Sequence, residues 1–250
     1  MSMGICKLCL EDKDLQNSHL MPRALYVKSR GPGKKGNQDP FVVTVEGGKQ
    51  SSFQTKDYVL CYECEQRFGK NGEDYVMRIV TDRDGHFPLL GMLNNAPTRT
   101  VGKDWTHYTV TDTPDIDRDK IAYFALSVLW RASVHIWEQE SGKPVSIDLG
   151  KKYNEQIRRY LLGETPVPVN AYLSVVACTD RNSQGSFFVP GGNWKKKDHS
   201  VGFAARGILF TLLMSRTAPG WQQRLSMTNN ARGCIASYDC SKHEMWKLRP

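Results

Sequence analysis

Two cysteine pairs of identical spacing, Cys6-Lys7-Leu8-Cys9 and Cys61-Tyr62-Glu63-Cys64, are the residues of this chain that most directly dictate chemistry. A C-x-x-C turn presents two sulfurs on one knuckle at the bite of a tetrahedral ion, and a second knuckle completes the shell. Cys6, Cys9, Cys61 and Cys64 therefore read as ligands of a structural Zn2+. Four thiolates leave no position for water, so any catalysis must lie beside the metal. Between the pairs stands Ser18-His19-Leu20-Met21-Pro22-Arg23, and Glu65 follows the second pair at once. His19 carries a side chain that changes protonation near neutral pH, which suits proton transfer. Cys178, Cys234 and Cys240 follow no ligand pattern and read as core or surface thiols. His86, His107, His135, His199 and His243 lack metal-site spacing and read as structural or surface residues.

The elements that must position these residues are punctuated by Gly, Pro and charge. Residues 1–80 hold both cysteine pairs. Within them, 28–40 is a Gly-, Pro- and Lys-rich stretch expected to be a mobile basic loop, 41–45 reads as a strand and Gly47-Gly48 as a hairpin turn. Residues 81–115 read as a connector with one strand at 105–110. Residues 116–250 form an α+β region. Its best helix places Ile121, Phe124, Ala125, Val128, Leu129, Ala132 and Ile136 at helical spacing, one amphipathic face to be buried, with Trp130 and Trp137 on nearly the same side as core. A second helix is expected at 152–162, stopped by Gly163, Pro166 and Pro168, and strands at 171–177, 186–189 and 201–214.

Composition narrows the class. The chain has 250 residues, 40% hydrophobic and 24% charged, enough for a real core. A net charge of +8 favours anionic partners such as nucleic acid, or serves solubility alone. Arg131 and Arg206 interrupt the longest apolar runs, so no membrane span is expected. The first residues lack a secretory signal, which makes the cytoplasm the expected compartment. Thiols stay reduced there, and an odd count of seven favours metal over disulfides. No Walker loop, dinucleotide fingerprint or G-x-S-x-G elbow is present.

The order C-x-x-C, S-H-L-x-P-R, then L-C-x-x-C leading into a short helix resembles the HNH nuclease family, over the N-terminal part only. That family's ββα-metal core is a zinc treble clef. The resemblance implies a treble clef over 1–80, followed by an α+β region with one long helix and several strands. It implies His19 as general base for water attack on a phosphodiester, with Mg2+ or Mn2+ nearby and Glu65 in the place of a metal ligand. Ser18 stands where many members carry Asp, and the Asn that braces the loop has Gln50 or Gln54 as its nearest counterpart. Arg23, Lys28, Arg30, Lys34 and Lys35 would meet the phosphate backbone. Lys195, Lys196 and Lys197 beside Trp194 could add a contact, or form a solvated turn. The expected partner is nucleic acid, DNA ahead of RNA, with no membrane; a homo-oligomer is compatible with this. The alternatives are an inactive treble clef that binds nucleic acid or a protein, and a purely structural zinc domain.

Overall fold

The computed structural model describes residues 2–33, 36–39, 41–44, 47–82, 85–192 and 200–242. Strands β1 (Ser2–Ile5) and β2 (Asp12–His19) pair antiparallel across the first cysteine knuckle, from Ser2↔Leu15 to Ile5↔Asp12. Leu10 closes the knuckle with φ of 65° and donates its N–H to Cys6 O at 2.9 Å. That left-handed conformation is costly for a branched side chain and is held by the turn around it. A short helix α1 (Arg23–Lys28) follows Pro22. Two ribbons come next, β3 (Gly31–Gly33) with β4 (Gly36–Gln38) and β5 (Phe41–Thr44) with β6 (Gly47–Gln50). The 28–40 stretch thus holds a paired ribbon. Gly47 and Gly48, expected in a turn, are instead ladder residues opposite Thr44 and Val43. Lys34, Lys35 and 194–197 lie outside the described residues.

Strand β7 (Lys56–Cys61) then pairs with β2, giving a three-stranded sheet of order β1-β2-β7. Helix α2 (Tyr62–Phe68) begins directly after Cys61, with Glu63 and Glu65 in its first turn, where acidic side chains suit the positive helix end. A π-helical turn at Gly69–Glu73 carries the chain into α3 (Asp74–Val80), and α4 (Pro88–Asn94) follows. The stretch read as a connector supplies two strands, β8 (Arg99–Val101) and β9 (Trp105–Thr109).

Helix α5 (Arg118–Val134) is capped by Asp117, whose carboxylate accepts from Lys120 N at 3.0 Å. The expectation of one buried face is too narrow: every residue from Ile121 to Ala132 is buried. The helix is covered on several sides. Trp130 meets Phe68 of α2 edge-on at 6.2 Å, Phe124 meets Phe203 and Phe210 of the large sheet at 5.8 and 5.5 Å, and Tyr123 meets Tyr160 of α6 (Lys151–Leu161) at 5.8 Å. Gly72 lets the π-helical turn approach, since a Cβ there would stand 2.7 Å from Phe124 N. Trp137 is buried but lies past the helix end, donating Nε1–H to Arg131 O at 2.9 Å.

The rest builds a seven-stranded sheet, order β11-β12-β13-β10-β14-β9-β8. Its strands are β10 (Ala171–Cys178), β11 (Phe187–Gly192), β12 (Ser200–Ala205), β13 (Ile208–Met214) and β14 (Cys234–Tyr238), joined by β8 and β9 from earlier in the chain; short helices α7 (Arg181–Gln184) and α8 (Gly220–Leu225) connect them. Only β10 and β14 run parallel. The run at 201–214 is two strands, because Arg206 and Gly207 turn the chain with φ of 39° and 86°. Cys178 and Cys240, read as thiols, form a disulfide across 62 residues of sequence. Spacing cannot announce such a bond, since connectivity depends on where the fold brings two distant residues. It also departs from the expectation that thiols of this chain stay reduced. No described helix is long and apolar enough to cross a membrane.

Candidate functional site

The four cysteine sulfurs all lie within 4.8 Å of one another, and Cys9 Sγ is 3.9 Å from Cys61 Sγ. A tetrahedral zinc with bonds of about 2.3 Å needs sulfurs about 3.8 Å apart, so the residues fit that ion. Backbone donors also converge, with Cys61 N–H reaching Cys6 Sγ at 3.3 Å. As bare thiols the four would titrate against one another: hydrogen bonding from Cys64 pulls Cys6 down to about 4, while burial pushes Cys61 up to about 12 and Cys64 is driven higher by its bond to Cys6. A dication removes that conflict by favouring every thiolate at once. Among the described residues this is the one cluster of three or more His, Cys, Asp or Glu able to hold a metal.

The sulfur centre sits at one end of the β2–β7 ladder. Cys61 pairs with Leu15 at one end of the ladder and Lys56 with His19 at the other. A bulge passes over Val59, whose carbonyl accepts from Lys7 N of the first knuckle at 3.0 Å. Ser18 completes the bulge: buried, it accepts from Leu60 N–H at 3.2 Å and donates to Gln16 O at 3.3 Å. Ser18 is therefore spent on the sheet and does not face solvent.

His19 ends β2 and lines an open cleft of about 520 Å³ together with Arg23, Ser52, Phe53, Gln54 and Lys56. Its Nε2 lies 2.8 Å from Gln54 Oε1. An amide oxygen only accepts, so Nε2 carries the proton and Nδ1 keeps its lone pair. Gln54, one of two candidates for a bracing amide, is the residue that makes this bond. Burial lowers the imidazole pKa below 6.5, the Gln54 bond works against it, and the charges of Lys56, Arg131 and Arg23 lower it further. The ring therefore favours its neutral form.

The strand end is held from the core. Arg131, buried in the middle of the fold, donates Nη1–H to His19 O at 2.8 Å and Nη2–H to Glu73 Oε1 at 2.5 Å, with its guanidinium 5.2 Å from the Phe68 ring centre. Burial pushes the Glu73 carboxyl up and Arg131 pulls it back. Leu20 N–H continues the ladder to Thr55 O at 3.0 Å. The far wall, 51–55, is braced by Ser51 Oγ on Glu140, Phe53 N–H on Ser51 Oγ at 3.0 Å and Gln139 Nε2–H on Thr55 Oγ1 at 3.5 Å.

Of the residues read from sequence, the cleft gathers His19, Arg23 and Gln54. Lys28 turns inward, donating Nζ–H to Thr81 O at 3.0 Å while its own carbonyl accepts from Arg206. Arg30 lies 3.7 Å from Asp39. Glu65 is not among the cleft's lining residues; its Oε1 is buried without a hydrogen-bond partner, and its charge is felt by Glu73. The cleft offers two cations and no carboxylate, with only Ser52 Oγ and Gln54 Oε1 as side-chain oxygens, so its lining is a poor fit for Mg2+ or Mn2+, which are held through carboxylates. Sequence reading missed Lys56 and Arg131. Lys56 could have been found as the position opposite His19 once the hairpin register was known; Arg131 carried its own signal, a charge inside an apolar helix. No family model matches this chain, and neither a curated protein nor a solved structure does.

Proposed function

We propose that this chain hydrolyses phosphodiester bonds in nucleic acid, with His19 as general base, on an HNH-like zinc treble clef. The observation that carries the reading is an imidazole of lowered pKa in an open cleft that Arg23 and Lys56 also line. The treble clef is supported by the chain order of knuckle, hairpin and second knuckle at a helix start. Arg23 and Lys56 hold the phosphate and neutralise charge that builds on its oxygens as water attacks. Nδ1 of His19 takes the proton from that water as its oxygen bonds to phosphorus, and the P–O bond to the leaving sugar oxygen breaks. That oxygen takes a proton from solvent, and the imidazolium returns its own. Gln54 keeps the ring turned so that Nδ1 is the unprotonated nitrogen. Arg131 fixes the backbone of His19 from behind. No step passes through a divalent ion, because the lining supplies no carboxylate to hold one beside its two cations.

The test is incubation of the zinc-loaded protein with single-stranded DNA, duplex DNA and RNA, with and without added magnesium or manganese, beside His19→Ala. The reading expects cleavage that falls roughly 100-fold or more in the variant, without a requirement for the added ion. Cleavage equal in both proteins would assign it to a contaminant. Binding without cleavage would leave a nucleic-acid-binding module, and neither would leave a structural zinc domain.

A further inference from the structure

The cleft wall carries an aromatic ring that the hydrolysis does not use. Phe53 lines the cleft with 42% of its surface exposed, in company with His19, Arg23 and Lys56. The 51–55 segment that carries it is braced at Ser51 and Thr55, so the ring is presented on a fixed support. A second aromatic lies along the strand. Asn17↔Tyr58 is two positions from His19↔Lys56 in the β2–β7 ladder, which places Tyr58 on the same face as Lys56, about 6.7 Å further on. Tyr58 is 47% exposed. Exposed aromatics taken singly are ordinary. Two of them on either side of Lys56 in the chain, next to a cleft with two cations and no carboxylate, make a pattern with a use.

We propose that the His19 cleft accepts an unpaired strand, with one base stacked on Phe53, a neighbour on Tyr58, and the phosphate between Arg23 and Lys56. This rests on the phosphodiester reading and names its substrate class. A cationic groove with aromatic platforms binds single strands without sequence preference, since every base has a π-face. A duplex keeps those faces stacked on one another and offers a protein its backbone and base edges. Phe53 has no hydrogen-bonding side chain with which to read an edge, so it gains nothing from a duplex.

The test uses the full-length zinc-loaded His19→Ala protein, which removes cleavage, and fluorescence anisotropy with a labelled single-stranded DNA of about twelve nucleotides, the same sequence as RNA, and as duplex DNA. One of the single strands binds about ten-fold tighter than the duplex, and the added Phe53→Ala change weakens that binding about ten-fold while leaving duplex affinity unchanged. Phe53→Trp restores it, and Tyr58→Ala gives a smaller loss. Circular dichroism and zinc content confirm that the variants fold. Duplex affinity equal to or above that of both single strands, or a Phe53→Ala loss shared equally by all three ligands, overturns the proposal and leaves phosphate binding intact. Binding to none of the three overturns the phosphodiester reading and this one with it.

Discussion

The sulfur centre and the His19 cleft share two strands and obey opposite rules. At one end of the β2–β7 ladder, four thiols crowd within 4.8 Å, largely shielded, an arrangement that a cation would stabilise by favouring every thiolate. At the other end, Arg23 and Lys56 line an open cleft together with an imidazole whose pKa is lowered, a cationic lining suited to the phosphate of the proposed reading. One site would use charge density to hold the chain together, and the other, in the proposed reading, to hold a ligand. The ladder connects them: whatever fixes Cys61 opposite Leu15 also fixes Lys56 opposite His19.

The sharpest way to break the comparison is to remove a sulfur. Cys64→Ser should cost several kcal/mol of the ~10–16 kcal/mol that a structural zinc supplies to small modules. Zinc stoichiometry should fall from one per chain, and cleavage should be lost with it. Retained folding without zinc would show that the hydrophobic core alone sets the register. Next comes the buried brace. Arg131→Ala leaves Glu73 mostly buried beside no cation and should destabilise by about 3–5 kcal/mol, read by urea unfolding. Arg131→Met with Glu73→Gln should recover most of that stability while cleavage stays impaired, because His19 O has still lost its donor. Stability and activity would then part company.

A smaller effect separates the two sites by pH. Folding depresses the His19 pKa, so as pH falls below 6.5 the unfolded chain takes up the proton first and this residue subtracts stability; above 6.5 it contributes nothing. Cleavage should share that direction, with its acid limb below pH 6.5, and Gln54→Leu should move the limb lower by removing the bond that opposes the shift. The smallest change is expected at Glu65. Its buried oxygen has no partner and lies in reach of the Glu73 charge, so Glu65→Gln should alter stability by less than about 1 kcal/mol and leave cleavage unchanged. A loss of cleavage there would return the carboxylate to the reaction.

The same contrast explains what the sequence disclosed. A C-x-x-C knuckle is local, and two identical spacings point to one ion without any knowledge of the fold. The cleft is non-local: Lys56 and Gln54 stand more than thirty residues from His19 and become its neighbours through strand pairing. Arg131 reaches it from a helix more than a hundred residues away. Helix α5 was legible as a helix from its periodicity. Its burial on every side was not, because that depends on α2, α6 and the large sheet arriving around it. The disulfide between Cys178 and Cys240 is hidden for the same reason. Ser18 had the right place beside His19 in the chain, but strand alternation turns it to the opposite side of the sheet, where it repairs a bulge.

The most direct measurement is an NMR titration of the His19 ring in zinc-loaded protein, free and with a non-hydrolysable phosphorothioate dinucleotide. The ring should titrate below 6.5 in the free protein and rise when the bound phosphate places its negative charge beside the imidazole. A free value at or above 6.5, or one the ligand leaves unmoved, would contradict the role proposed for His19.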